Sequence, residues 1–564
     1  MAYKTGIDRD AIPIAPISLE ASISADNPVR VIDAFVDWLD LLALGFTHTI
    51  DNTKGTSVYP PAVLLKLYLY GYLNRHRSSR QLAKECERNI ELHWLLKRLT
   101  PQYHTIADFR KDNAVALKGV FKEFTQFCIA MSLVEGKTIV FDGTRIHAQN
   151  NQKNNFNAKR LEKLLTRIDT KAQAYEQYLI ALDEQDKTED IQPNIVVPVG
   201  KSKTDIEKTL VLLTQRKLQY EAYQQQLKTA AEQGKPTEEL QISTVDPDAR
   251  AMAFKKNHTE VGYNIQTAGD AKHKLIIHFD VTNVNDNNAL SDLAITTKDI
   301  LHIKEGETYN ALADTGYHNG EQLTKCKQAN IITYVCPADI NGEPSKKNND
   351  KDPLFTKDKF LYDAQSDTYT CPNNQILKTN GTWYVEKVTA TRRQARKTKQ
   401  YTLPSLVCQA CPFSIQCQGN AVKHGKGRTI QRTLFDDAIT NNRKRVLENP
   451  NAYKQRKEII EHPFGTIKRS WGFNYTLLRT KIKVATEFAL IYCAYNLRRL
   501  ISILGVNDLI IALKAPKYTA SHFFDCFSDF ISPLFVKTMK ISGFHTSLLT
   551  HLSLILTTLS MSNN

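Results

Sequence analysis

The spacing of apolar and polar residues changes several times along the chain, and each change predicts a different element. VLLKLYLYGYLN (Val63–Asn74) is apolar nearly all round, as in a helix buried among others. Ser78 with Gln81 three residues on has capping-box spacing and opens a short helix, SRQLAKECERN. IELHWLLKRL and, after Pro101, HTIADFRKDN extend an all-α domain over 58–136, behind an N-terminal leader, 1–57. At KTIVFDGTRIHA (Lys137–Ala148) the pattern becomes that of a strand, buried on both faces up to Asp142. Heptads follow: Leu161, Ile168, Tyr175 and Leu182, then Ile206, Leu210, Leu213, Tyr220 and Leu227, with Pro193, Pro198 and Gly200 between the two runs. They predict an antiparallel helical-hairpin insertion over 151–245, most simply an amphipathic arm without chemistry. After DPDAR the strands VGYNIQTAGD and KLIIHFDVTN form a hairpin, followed by a helix from about Asn288 to Leu301, the strand TYNALADTGY, a helix through Cys326 and the strand IITYVCPA. This order predicts an α/β core, a mixed sheet flanked by helices, assembled from 137–150 and 246–340 with further helices from 441–505. A Cys-rich basic insertion occupies 341–440, and 506–564 forms a tail to which no pattern gives a role.

Composition narrows the class. The 564 residues carry 74 Lys and Arg against 59 Asp and Glu, so that 74 − 59 gives +15. With 42% hydrophobic residues the chain can bury ordinary globular cores, which excludes a disordered or collagen-like protein. The positive balance favours a polyanionic partner, because neutralised phosphates release counterions. MAYKTGIDRDAIPIAP breaks at charges and prolines and is no secretory signal, which places the protein in the cytoplasm. Ile541–Ser560 lacks Lys, Arg, Asp and Glu, but its Thr, Ser and His residues make it a poor membrane span, and no membrane association is expected.

Candidate chemistry lies first at two strand ends. Asp142 and Asp314 each close an apolar run and are followed by a glycine turn, at Gly143 and Gly316. Carboxylates at the carboxyl edge of neighbouring strands can share divalent cations, and magnesium prefers such hard oxygen ligands. Taken singly, an Asp before Gly is more often a turn former. A third carboxylate is expected on a helix beside them, within NAYKQRKEIIEHPFGTIKRSWGF, where Tyr453, Arg456, Glu461 and Lys468 follow the spacing Y-x2-R-x4-E-x6-K. Arg456 and Lys468 there would grip phosphates, and Glu458 is the fallback acid. Cys371, Cys408, Cys411 and Cys417, in C-x36-C-x2-C-x5-C spacing, suit tetrahedral zinc or are free buried thiols. Between Arg392 and Arg432 run Arg392, Arg393, Arg396, Lys397, Lys399, Lys423, Lys426, Arg428 and Arg432 with no Asp or Glu among them, a stretch for a phosphate backbone or a solvated loop. The N-terminal helices carry Arg75, Arg77, Arg80, Arg88 and Lys97, as a helix-turn-helix-like DNA-binding module or a bundle with a solvated basic face would.

The ordered motifs SVYPPAVLLKLYLYGYLNRHRSSRQLAKECERN, HTIADFRKDN, FDGTRIHA, DPDAR, GYNIQTAGD, ADTGYHNG and IIEHPFGTIKRSWGF resemble DDE-type transposases of bacterial insertion sequences, over roughly Val58 to Leu500. The resemblance is to the branch with a helical N-terminal domain and an insertion-interrupted ribonuclease-H-like core. It implies a catalytic triad of Asp142, Asp314 and Glu461 holding two Mg²⁺ ions, for which Mn²⁺ can substitute. It also implies DNA contacts from Tyr453, Arg456 and Lys468, cleavage at the element's terminal inverted repeats, strand transfer into double-stranded target DNA, and at least a dimer when two ends are synapsed. One departure stands out: four residues separate Arg456 from Glu461 where the family pattern has three. The rival expectation is a non-catalytic DNA-binding protein descended from a transposase; a repair nuclease would cut without joining.

Overall fold

The computed structural model describes residues 18–47, 49, 58–185, 202–234, 240–255, 257–337, 355–386, 396–418 and 427–515. Helices α1 (Val29–Trp38), α2 (Pro61–Leu73), α3 (Ser79–Arg88), α4 (Ile90–Leu95), α5 (Tyr103–Asp112) and α6 (Ala114–Ala130) come first. Leu65, Leu67, Tyr68, Leu69 and Tyr72 of α2 are fully buried, as its all-round apolar sequence requires. The capping box expected at Ser78 does not form: its hydroxyl makes no cap bond, and Gln81 Nε2 instead meets His76 Nδ1 at 2.6 Å.

The main sheet contains β1 (Thr138–His147), β4 (Arg250–Lys255), β5 (His258–Asp270), β6 (Ile276–Thr282), β7 (Tyr309–Ala313) and β8 (Ile331–Val335). Its order is β4-β5-β1-β7-β8, with β6 also on β5. β1 runs antiparallel to β5 and parallel to β7, and β7 is parallel to β8. The strand expected to end at Asp142 continues to His147, because its far half pairs with β5 down to His147↔Gly262. β2 (Asn155–Phe156) and β3 (Ile242–Ser243) pair at the foot of α7 (Ala158–Gln185) and α8 (Lys203–Glu232). Those two helices meet through Ile168, Tyr175, Ile206 and Leu213, residues of the heptad register.

Two layers cover the sheet. Ile139, Phe141, Ala311 and Ala313 face α9 (Leu290–Ile300) and α10 (Gly320–Gln328). Val140 and Leu312 point the other way, onto Ile459 and Ile460 of α14 (Pro450–Phe464). Between these parts a second sheet, β9 (Leu361–Asp363), β10 (Thr368–Thr370), β11 (Ile376–Glu386), β12 (Arg396–Thr402) and β13 (Thr429–Thr433), carries the short helices α11 (Ser405–Gln409) and α12 (Ser414–Gln418). α13 (Asp436–Glu448) then leads to α14, and α15 (Lys481–Leu504) and α16 (Val506–Lys514) close the described chain.

The helices ahead of residue 137 are not an independent body. Val31, Phe35, Tyr68 and Phe124 belong to the same apolar core as Ile277 of β6 and Phe488, Tyr492 and Leu497 of α15. Arg77, read from sequence as part of a basic face, is buried at this joint, paired with Glu487 at 3.2 Å and lying over Phe473 and Tyr475. Among the described residues no single helix is long and apolar enough to cross a membrane.

His278 on β6 gives the fold a pH dependence. Burial, with Lys118 adding to it and Asp280 opposing, pulls its pKa from 6.5 down to about 4. A base with a depressed folded-state pKa contributes no penalty above its unfolded value and destabilises as pH falls below it. Between about pH 7 and about pH 5 the wild type should lose roughly 2 kcal/mol through this residue, a loss absent from His278→Gln. Urea unfolding at the two pH values measures this; equal losses in both proteins would acquit His278.

Candidate active site

The parallel pairing of β1 with β7 ends at Phe141↔Ala313, so Asp142 and Asp314 are the next residues on two adjacent strands. Alternation then turns Asp142, like Val140, toward α14. From that helix Arg456 Nη1 reaches Asp142 Oδ2 at 3.5 Å, and both side chains are largely buried. Desolvation first, and the nearby Asp314 second, push the Asp142 carboxyl up to about 7, against the pull of Arg456. Burial likewise raises Asp314, whose Oδ1 accepts the Gly316 N–H at 2.8 Å and caps the short turn Thr315–Tyr317. Two carboxylates held this close out of water favour a proton or a cation between them.

α14 carries Pro463 and passes into a π-helical turn, Gly465–Ser470. That turn brings Lys468 to β1, where its Nζ donates to Thr144 Oγ1 at 3.1 Å and to the Arg145 carbonyl at 3.0 Å. Burial, with Arg145 beside it, lowers the Lys468 pKa. Tyr453 lies one turn before Arg456, its ring 5.8 Å from the guanidinium.

Glu461 does not join this group. It is exposed, while Arg456, Ile459, Ile460 and Pro463 line the side of α14 that meets the sheet. A helix advances about 100° per residue, so the fifth residue after Arg456 falls on the outer face, whereas the fourth would fall beneath it. Ile460 occupies that fourth place. The additional residue between Arg456 and Glu461 is therefore what swings the acid away. Glu458 also faces outward, paired with Lys274 at 2.9 Å.

A third carboxylate that the sequence reading missed, Asp286, does reach the aspartates. It sits in the 3-10 turn Asp286–Asn288 between β6 and α9, and it pushes the pKa of both Asp142 and Asp314 upward. Its signal was an acid in a polar run, NVNDNN, between a strand and a helix. Among the described residues no group of three or more His, Cys, Asp or Glu stands ready to hold a metal ion.

The zinc expectation finds no support. Cys371, Cys408, Cys411 and Cys417 do line one small cavity of about 30 Å³, together with Phe360, Leu377 and Leu403, and none of them forms a disulfide. Cys371, Cys408 and Cys417 help close the small core of the second sheet. The basic stretch is less available than its acid-free sequence implied. Arg396 pairs with Glu386 at 2.7 Å and Lys399 with Asp367 at 2.9 Å, because the β9–β13 sheet brings those acids across, and Arg432 pairs at 2.7 Å with Asp437, at the start of α13. Lys397 is exposed, and Arg392 and Arg393 lie outside the described residues. Arg80 is exposed and stacks over Tyr103 at 5.2 Å.

Two family models match the chain: "Transposase domain (DUF772)" over residues 17–112 and "Transposase DDE domain" over residues 370–501. No curated protein matches. A cryo-EM structure of a piggyBac transposase synaptic complex with hairpin DNA aligns over 90% of this chain and 86% of that one, at 8% identity and a TM-score of 0.29. The two family matches define a transposase, an enzyme that cuts and joins DNA and depends on a divalent cation, generally Mg²⁺. These two matches support a DDE-type insertion-sequence transposase.

Proposed function

We propose that the chain cuts DNA at the terminal repeats of its own element and transfers the freed 3′ ends into a target duplex, at the place where β1 and β7 leave their parallel pairing. The observation that carries this reading is the adjacency of Asp142 and Asp314 one residue past their last parallel pair, with Arg456 beside them. The strand order β6-β5-β1-β7-β8, three antiparallel and then two parallel, reads as a ribonuclease-H-like core around that edge. Ligands of open α/β sheets collect at such an edge.

The donor set suits Mg²⁺: two hard carboxylates, each raised by burial, with Asp314 close enough to raise Asp142 further. Once bound there, such cations would activate the attacking oxygen and offset charge on the leaving one. Asp142 and Asp314 would hold them. Arg456, beside Asp142, shifts from that carboxylate to a backbone phosphate as DNA enters, since its planar fork suits phosphate oxygens. Lys468, anchored to β1, fixes the strand's position without reading bases. Two ends must be brought together, which calls for at least two copies of the chain, working in the cytoplasm.

The test is a reaction of the full chain, with Mg²⁺, on duplexes carrying the inverted repeats that flank its coding region. Nicks at the repeat boundary and covalently joined target products are expected. Cutting without joining would mark a repair nuclease, and binding without cutting a non-catalytic derivative.

A further inference from the structure

We propose that the helical arm, α7 with α8, is an additional DNA-gripping surface, and that one of its two flanks docks on the phosphate backbone of a duplex without regard to sequence. The inference rests on the chain acting on double-stranded DNA, and not on which side chains cut it.

The register of the arm decides which side each charge takes. Ile168 and Tyr175 of α7 pack with Ile206 and Leu213 of α8, and nearer the foot Leu161 packs with Leu227. These residues mark the seam. Glu162, Asp169 and Glu176 each follow a seam residue by one place, as do Glu207 and Glu221 on α8, so all five carboxylates lie along one flank. Lys217 meets Asp169 there at 2.7 Å, and Lys228 is the other cation on that side. Arg160 and Arg167 each precede a seam residue by one place and therefore take the opposite flank. Arg216, about 100° round the helix from Lys217, falls across the seam with them, and Lys171 leans the same way. Among the described residues the acid on this second flank is Asp205, at the far tip, where the capping box of α8 uses it.

This segregation costs the arm stability. Lys159, Lys163, Arg167 and Lys171 stand four residues apart, and all are exposed. Like charges at that spacing repel on a helix, whereas an arm that served only as scaffold gains by alternating signs along each face. A polyanion laid along the flank would relieve the repulsion and release its own counterions. The run from Lys159 to Lys171 rises about 18 Å, the length of roughly five base pairs. Its foot is stiff: Arg160 donates to the Gln152 carbonyl and, at 3.3 Å, to the Lys153 carbonyl, and its guanidinium lies 5.5 Å from the Phe156 ring. The arm also starts close to the aspartates, since β1 runs only from Asp142 to His147, roughly 17 Å, before the chain turns into it. A second copy is the poorer occupant, because a basic flank on a partner's acidic flank repeats head to tail without closing.

The test compares two double variants of the full chain. Arg167→Gln with Lys171→Gln removes two cations from the basic flank, and Lys217→Gln with Lys228→Gln removes two from the acidic flank of the same arm. Binding to duplexes with and without the terminal repeats is measured in EDTA over a salt series, so that cutting plays no part. The first variant should bind about ten-fold or more weakly near 0.1 M salt and flatten the salt slope by roughly one to two, on both duplexes alike. The second should stay within about two-fold of wild type, and Arg167→Lys with Lys171→Arg should keep the wild-type slope, because the backbone grip needs charge alone. An unchanged melting temperature in the first variant ties its loss to DNA. Equal losses in the two Gln variants would reduce the effect to net charge and overturn the proposal, as would an unmoved slope or a loss confined to the repeat-bearing duplex. Reduced self-association with DNA binding intact would give the flank to a second copy instead. In each of those cases Mg²⁺-dependent cutting by the wild type would leave the β1–β7 reading standing.

Discussion

Asp142→Asn is expected to lower DNA cleavage by roughly a thousand-fold or more while leaving duplex binding nearly intact. Its carboxylate lies against Asp314 and Arg456, where an amide can neither hold a cation as a carboxylate does nor balance the arginine. DNA affinity should persist because it comes from cationic groups distributed over the surface rather than from this acid. The substitution should also leave the melting temperature unchanged or raise it, since it removes a charge that burial and two neighbouring aspartates disfavour. Cleavage, filter binding and thermal unfolding on one preparation decide the matter. Wild-type cleavage by the variant would exclude Asp142 from the chemistry, and a collapse in stability would assign it to the scaffold instead.

The largest effect on stability is expected at Glu487. This side chain is wholly buried on α15, where it accepts the Leu477 and Leu478 backbone N–H groups at 2.9 and 3.2 Å and the Arg77 guanidinium at 3.2 Å, with Arg110 near. Glu487→Ala strands two buried arginines and two backbone donors, at a cost of about 3–5 kcal/mol, a large share of a typical protein's total stability. Replacing both partners, as in Glu487→Leu with Arg77→Met, should recover much of that loss, because an apolar pair leaves no charge uncompensated. Urea denaturation of the single and double variants measures the coupling. A single variant within about 1 kcal/mol of wild type would show that the joint is held by packing alone.

Much of this architecture could be read from local pattern. The buried run up to Asp142 and the strand end before Asp314 were legible because an apolar run that stops at an acid and a glycine turn is a short-range signal, although β1 itself runs on to His147. The heptads of α7 and α8 were legible for the same reason. Asp286 was not, because its meaning depends on Asn264 and Gln266, respectively 22 and 20 residues away. In the sequence it is one more polar residue in a turn. Glu461 shows a different failure: the residue types were present, but the helical phase relative to Arg456 decided where the acid pointed, and one extra residue changed it. The basic stretch is less free than it reads because a run without acids in sequence meets Glu386 and Asp367 once strands pair, and Asp437 just beyond its end. Arg77 and Glu487, 410 residues apart, lie beyond any window of local pattern.

The apolar interior shared by the leading helices, β6 and α15 has a consequence for how DNA is handled. A head that is one solid with the proposed cutting edge cannot swing on a tether to search for a bond. On the proposed reading, a duplex gripped by those helices would be offered to Asp142 and Asp314 at one distance and one rotational phase, so that the number of base pairs from grip to cut would be written into the shape of the protein rather than left to the reach of a linker.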